Sequence, residues 1–144
     1  MNSEPYLIKQ VSLFSENKPG RLAAMAKAFL DEGINIKAFS IAEADGFGVI
    51  RVLVDRTKDA YLKLSSMGFN VAYTDVIAVE MRDEPGGLYE IASRLADASI
   101  NIEYSYAYSG KEKAVLILRV DQVEDAVQHI REAGFNLVMQ QEFS

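Results

Sequence analysis

Two short segments carry the residues best suited to holding a charged small molecule: Asn17-Lys18-Pro19-Gly20-Arg21-Leu22 and Asp83-Glu84-Pro85-Gly86-Gly87-Leu88. Each lies between an apolar, β-rich run and a run with helical spacing, so each is expected to open a helix. A helix start exposes unpaired N–H groups and carries a partial positive charge. A carboxylate suits that position, and glycine lets it approach the backbone closely. The side-chain oxygen of Asn17 or Asp83 could accept from an ammonium group. Donors for an anion beside acceptors for a cation describe a zwitterion, and so a free amino acid. The alternative is that Asn17 and Asp83 only stabilise the turn or cap the helix, the commonest role of such residues.

Three further sets could take part. Asn35 and Asn101 each stand in an Ile-Asn-Ile context after the first helical run of their half. An amide there can donate and accept toward a ligand, or it can fix the helix-to-strand turn. Tyr104, Tyr106 and Tyr108 alternate along a strand-like run where the other half has Ala38, Ser40 and Ala42. Period two puts all three on one face, as a wall for a ring-bearing side chain or as ordinary sheet packing. His129 is the sole histidine and matches Lys63, which reads as a solvated face rather than a catalytic or metal site. No His, Asp and Glu cluster has ligand spacing, so no metal is expected. Gly46-Phe47-Gly48 sits in a hairpin and is not a phosphate motif. No catalytic residue and no cofactor is expected.

The elements that must position these residues come as a repeat. At an offset of 66 residues, Pro19-Gly20 falls on Pro85-Gly86, Ile34-Asn35-Ile36 on Ile100-Asn101-Ile102, Val54-Asp55 on Val120-Asp121, and Gly68-Phe69-Asn70 on Gly134-Phe135-Asn136. One register holds over the whole length, so both halves share a fold. In the first, Tyr6 to Phe14 reads as a strand. Leu22, Met25, Ala26, Phe29 and Leu30 recur at helical spacing up to Gly33. Ile34 to Ala44 and Val49 to Val54 read as strands around an Asp45-Gly46 hairpin turn. Thr57 to Met67 is a second helix ending at Gly68, and Asn70 opens the last strand. The order β-α-β-β-α-β predicts an α+β protein of two ferredoxin-like modules, each with a four-stranded antiparallel sheet and both helices on one face. The modules are expected over residues 1–73 and 74–144. No linker separates them: Val71 to Glu80 continues from one into the next, which predicts modules locked together rather than tethered.

Composition narrows the class. The chain has 144 residues, 49% hydrophobic and 25% charged, with a net charge of −6. The basic residues are scattered among acids, without the basic stripe of a nucleic-acid binder. The absence of cysteine removes disulfides and thiolate chemistry and fits a reducing cytoplasm. No signal peptide and no membrane-spanning run is visible. A ~70-residue module buries a limited core, and each sheet leaves a face or edge to cover. A homodimer with an isologous interface is therefore expected.

The Asn-x-Pro-Gly-x-Leu loop, the Gly-Ile-Asn-Ile segment and the βαββαβ order together resemble the ACT domain family, as two copies in tandem over essentially the whole chain. The resemblance implies a regulatory module of amino-acid metabolism that binds amino acids at interfaces between paired modules. It implies ligand contacts from Asn17, which Asp83 replaces in the second copy, and from Asn35 and Asn101. Asp83 and the extra Gly87 depart from the commoner pattern. With no catalytic domain attached, the resemblance implies a stand-alone, non-catalytic sensor, or alternatively a regulatory subunit that docks on a separate biosynthetic enzyme. The tyrosine set, Tyr104 and Tyr106 above all, adds the expectation of a ring-bearing ligand such as histidine or an aromatic amino acid.

Overall fold

The computed structural model describes residues 2–109 and 113–143. In chain order the elements are β1 (Ile8–Glu16), α1 (Arg21–Glu32), β2 (Ile36–Ala44), β3 (Phe47–Val54), α2 (Thr57–Ser66), β4 (Asn70–Met81), α3 (Gly87–Asp97), β5 (Ile102–Ser109), β6 (Ala114–Val120), α4 (Val123–Glu132) and β7 (Leu137–Val138). Short 3-10 turns cover Glu4–Tyr6 and Gln140–Phe143. The chain divides into two units, each an α+β module of the ferredoxin-like kind.

The first unit is Lys9–Thr74 with Phe143–Ser144. Its strands run in the order β2-β3-β1-β4, β4 contributing its first half. Val11 faces Val52 and Leu13 faces Ile50 across the antiparallel β1–β3 pair. Phe39 faces Val52 and Ile41 faces Ile50 across β2–β3. Alternating β-branched residues thus present one apolar face, on which Met25 and Phe29 of α1 and Ala60 and Leu64 of α2 close the core. Losing a buried side chain such as Phe29 would cost ~3–5 kcal/mol. The helical periodicity of α1 admits two adjacent stripes. The one through Met25, Ala28 and Phe29 turns inward, and Leu30 stays exposed. On α2, Tyr61 is half-buried and stacks on Tyr73, with ring centroids 4.4 Å apart.

The second unit is Asp75–Glu142 with Met1–Ile8. Its strand order is β7-β4-β6-β5, here with the second half of β4. Ile77 faces Leu118 and Val79 faces Leu116 across the antiparallel β4–β6 pair. Ile91 and Leu95 of α3 and Val127 and Ile130 of α4 cover that face. The residues ahead of β1 differ from a cut at 73/74: Tyr6 and Leu7 pack against this second core. The Arg131 guanidinium lies 4.9 Å from the Tyr6 ring centroid, within cation–π reach. The closing strand β7 is only two residues long, whereas its first-repeat counterpart continues as β4 from Asn70 to Met81. Among the described residues no helix is long and apolar enough to cross a membrane.

Candidate functional site

In the first unit the chain leaves β1 at Glu16 and enters α1 at Arg21. The Asn17 amide donates to the Gly46 carbonyl at 2.8 Å, which ties this loop to the β2–β3 hairpin. Gly20, the residue before the helix, has φ +93°. A side chain there would meet nothing within 4 Å, so the backbone conformation rather than space requires glycine. Gly86 repeats the same geometry ahead of α3, also at φ +93°. The Arg21 amide reaches back to the Lys18 carbonyl at 3.3 Å, and the Ala24 amide to Gly20 at 2.9 Å. The Leu22 and Ala23 amides have no acceptor among the described residues. The side chains of Asn17 and Asp83 likewise form no hydrogen bond among them, so neither caps its helix.

Beside this loop lies an open cleft of about 420 Å³. Ser15 to Leu22 form one side, and Ile41, Gly48 and Ile50 form the other. These partners follow from register. Ile41 is opposite Ile50, and Gly48 is opposite Ser15, on the helix-bearing face. Four predicted residues therefore meet in one place: Asn17, Gly20, Arg21 and Leu22. Sequence reasoning missed Ser15, Ile41, Gly48 and Ile50. Gly48, placed in the hairpin by the sequence reading, is the second residue of β3, and a glycine within a strand often marks close approach.

The cleft is electrostatically uneven. Lys18 Nζ sits 2.6 Å from Glu16 Oε2. That hydrogen bond and the Lys18 charge, with a smaller contribution from Arg21, hold the Glu16 carboxyl below its ordinary range despite some opposing desolvation. Arg21 has no ion pair among the described residues, and the first turn of α1 carries no acid. Two cations thus face one carboxylate at an N-terminus that already favours negative charge.

The matching loop of the second unit is organised differently. Arg82 spans it, with Nη1 2.5 Å from Glu84 and Nη2 on Glu90 of the first turn of α3. Gly87 is buried, and a side chain at it would overlap the Arg82 carbonyl oxygen. Leu88 is 53% exposed.

The remaining predicted residues lie elsewhere. Asn35 and Asn101 precede β2 and β5, at the opposite end of each sheet from the loops, a strand of nine or eight residues away, or ~25–30 Å. The Asn35 amide donates to Asp55 Oδ1 at 3.0 Å and its carbonyl accepts from the Asp55 amide at 3.2 Å. Asn101 and Asp121 repeat both distances. The turn is therefore fixed through the main chain and an aspartate, not by the asparagine side chain. Tyr104, Tyr106 and Tyr108 pair with Arg119, Ile117 and Val115. That is the face away from the helices, because Leu116 and Leu118 face the core. They do not meet the Asp83–Leu88 loop within this unit. Burial, and then Glu142, raise the Tyr108 hydroxyl above its ordinary pKa. His129 is exposed in a shallow groove with Arg94, Asp97 and Glu132. Among the described residues no group of three or more His, Cys, Asp or Glu could hold a metal.

A search of curated proteins finds no match. Among solved structures, protein BT0572 from Bacteroides thetaiotaomicron superposes with a TM-score of 0.91 at 30% identity, covering 96% of both chains. The ligand-free regulatory subunit of aspartate kinase from Thermus thermophilus gives a TM-score of 0.65 at 16% identity, covering 90% of this chain and 95% of that one. The corresponding subunit from Thermus flavus gives 0.60 at 18%, covering 87% and 91%. At such identities the last two establish a shared fold. A family model described as an ACT domain pair matches residues 6–144, and the chain belongs to that family.

Proposed function

We propose that this protein is a non-catalytic sensor that binds a free amino acid in the first-repeat cleft and passes its presence to a partner. The observation that carries this reading is the cleft itself. It joins, at one helix N-terminus, an open apolar wall with Leu22 and Ala23 amides and an Arg21 that have no hydrogen-bond acceptor or ion pair, respectively, among the described residues. A ligand carboxylate at those amides beside Arg21 would gain charge-assisted hydrogen bonds. Its ammonium group would find the side-chain oxygen of Asn17 or the carboxylate of Glu16. Its side chain would lie on Leu22, Ile41 and Ile50. That wall is aliphatic, so the cleft favours an aliphatic chain over the ring expected from Tyr104 and Tyr106.

Association of two copies is part of the same reading. Edge strand β2 exposes Phe39 at 50% and Ile41 at 45%, apolar area that a second copy would remove from water. The output would go to a separate enzyme, as the Thermus proteins are regulatory subunits of aspartate kinase. A thermal-shift screen against the twenty standard amino acids tests the reading, because a ligand of the native state raises the melting point by mass action. An aliphatic amino acid should raise it in a saturable manner. A flat response to all twenty would remove the reading. Light scattering should give twice the chain mass.

A further inference from the structure

We propose that the chain holds one ligand, in the first-repeat cleft, because the side chain of Met81 plugs the matching cleft of the second repeat. The inference rests on the amino-acid reading of that cleft. The repeat offset places Met81 where the first repeat has Ser15, and Gly87 where it has Arg21. Ser15 lines the open cleft, and its small side chain leaves the volume beside the helix start empty. Met81 instead packs against the second hydrophobic core, and its Cγ lies 3.2 Å from the point where a Gly87 Cβ would stand. Gly87 is buried, and the Arg82 carbonyl leaves no room for any side chain on it. The start of α3 is therefore drawn down onto the end of β4, whereas the start of α1 stands off far enough to carry a whole arginine.

Charge leads independently to the same assignment. At the first loop Lys18 and Arg21 face Glu16 alone. At the second, Arg82 is already engaged by Glu84 and Glu90, and Asp83 adds a third acid to the same loop. A carboxylate is attracted to the first site and repelled from the second.

Calorimetry on the full chain decides the matter, titrating whichever of the twenty standard amino acids gives the largest thermal shift. One ligand per chain is expected. Ser15→Met, which places the plug in the first cleft, should weaken binding at least tenfold. Should that variant fold poorly, Arg21→Glu at an exposed position should give a loss of the same order. Asp83→Ala should bind within twofold of the parent. Two ligands per chain, or a tenfold loss in Asp83→Ala with Ser15→Met and Arg21→Glu binding as the parent does, would overturn the inference while leaving the amino-acid reading in place. Absence of heat from every amino acid would overturn both.

Discussion

Replacing Gly87 with alanine sets helix propensity against packing, and the two predict opposite signs. Gly87 is the first residue of α3. Alanine is preferred over glycine in a helix by up to ~1 kcal/mol, and Gly87 lies outside the left-handed region, so no conformational penalty intervenes. Packing opposes the change. The new methyl would overlap the Arg82 carbonyl oxygen and stand 3.1 Å from its carbon and 3.2 Å from Met81 Cγ. The methionine can swing away. The carbonyl belongs to the main chain just after β4 and cannot move without disturbing the Met81–Ala114 pairing. Overpacking of a tight site costs ~1–3 kcal/mol, so the net expectation is a loss of ~1–2 kcal/mol. For a chain of this length that is a fall of roughly 2–8 °C in melting temperature. Urea unfolding and thermal melts should be run beside Arg21→Ala, the matched position on α1, where the change should stay within ~0.5 kcal/mol. A higher melting temperature for Gly87→Ala would mean that propensity had won. It would also mean that the start of α3 is not held against the strand, and the argument for a plugged second cleft would lose its geometry.

Other outcomes follow from the same structure. Asp55→Ala and Asp121→Ala each remove one acceptor of an asparagine amide and should cost ~0.5–1.5 kcal/mol, with faster hydrogen exchange at Asn35 or Asn101 respectively. Tyr61→Ala should lose ~0.5–1.5 kcal/mol of stacking on Tyr73 beyond the burial term, read as a shifted urea midpoint. Glu16 has a lowered folded pKa, from Lys18 first and Arg21 after. Its contribution is present above the ordinary carboxylate value and is lost as pH falls through the lowered one. Stability against pH should therefore be flatter on the acid side in Glu16→Gln. Tyr108 has a raised folded pKa, from burial first and Glu142 second, against an ordinary value of 10.0. Its contribution is complete below that value and is lost as pH rises through the folded one, so Tyr108→Phe should resist alkaline unfolding better than the parent.

The architecture was legible because it was written twice. The 66-residue offset fixed which runs must form the same element, and alternation in runs such as Val115 to Val120 fixed the strands. Helix faces were less legible: Leu22, Ala26 and Leu30 share the helical spacing of Met25 and Phe29, and only the sheet decides which stripe turns inward. The loops were found because Pro-Gly before an apolar helical run has a local physical meaning. Ser15, Ile41 and Ile50 were not found, because they join the cleft through cross-strand register, which no local pattern encodes. The positions of Asn35 and the tyrosines were not legible for a related reason. Sequence neighbourhood does not say which end or which face of a sheet a residue occupies: Asn35 lies at the start of β2, away from the Asn17 loop, and the tyrosines lie on the face of β5 away from the helices.

The membership of the two units has a consequence for synthesis. Tyr6 and Leu7 pack against the core built by the second repeat. A ribosome delivers these pieces in order, so the earliest segment must wait for residues made more than sixty positions later. The core of the second module therefore closes around the segment made first. Dissecting the chain at its repeat boundary would leave the second repeat without Tyr6 and Leu7, an unfilled place in its packing.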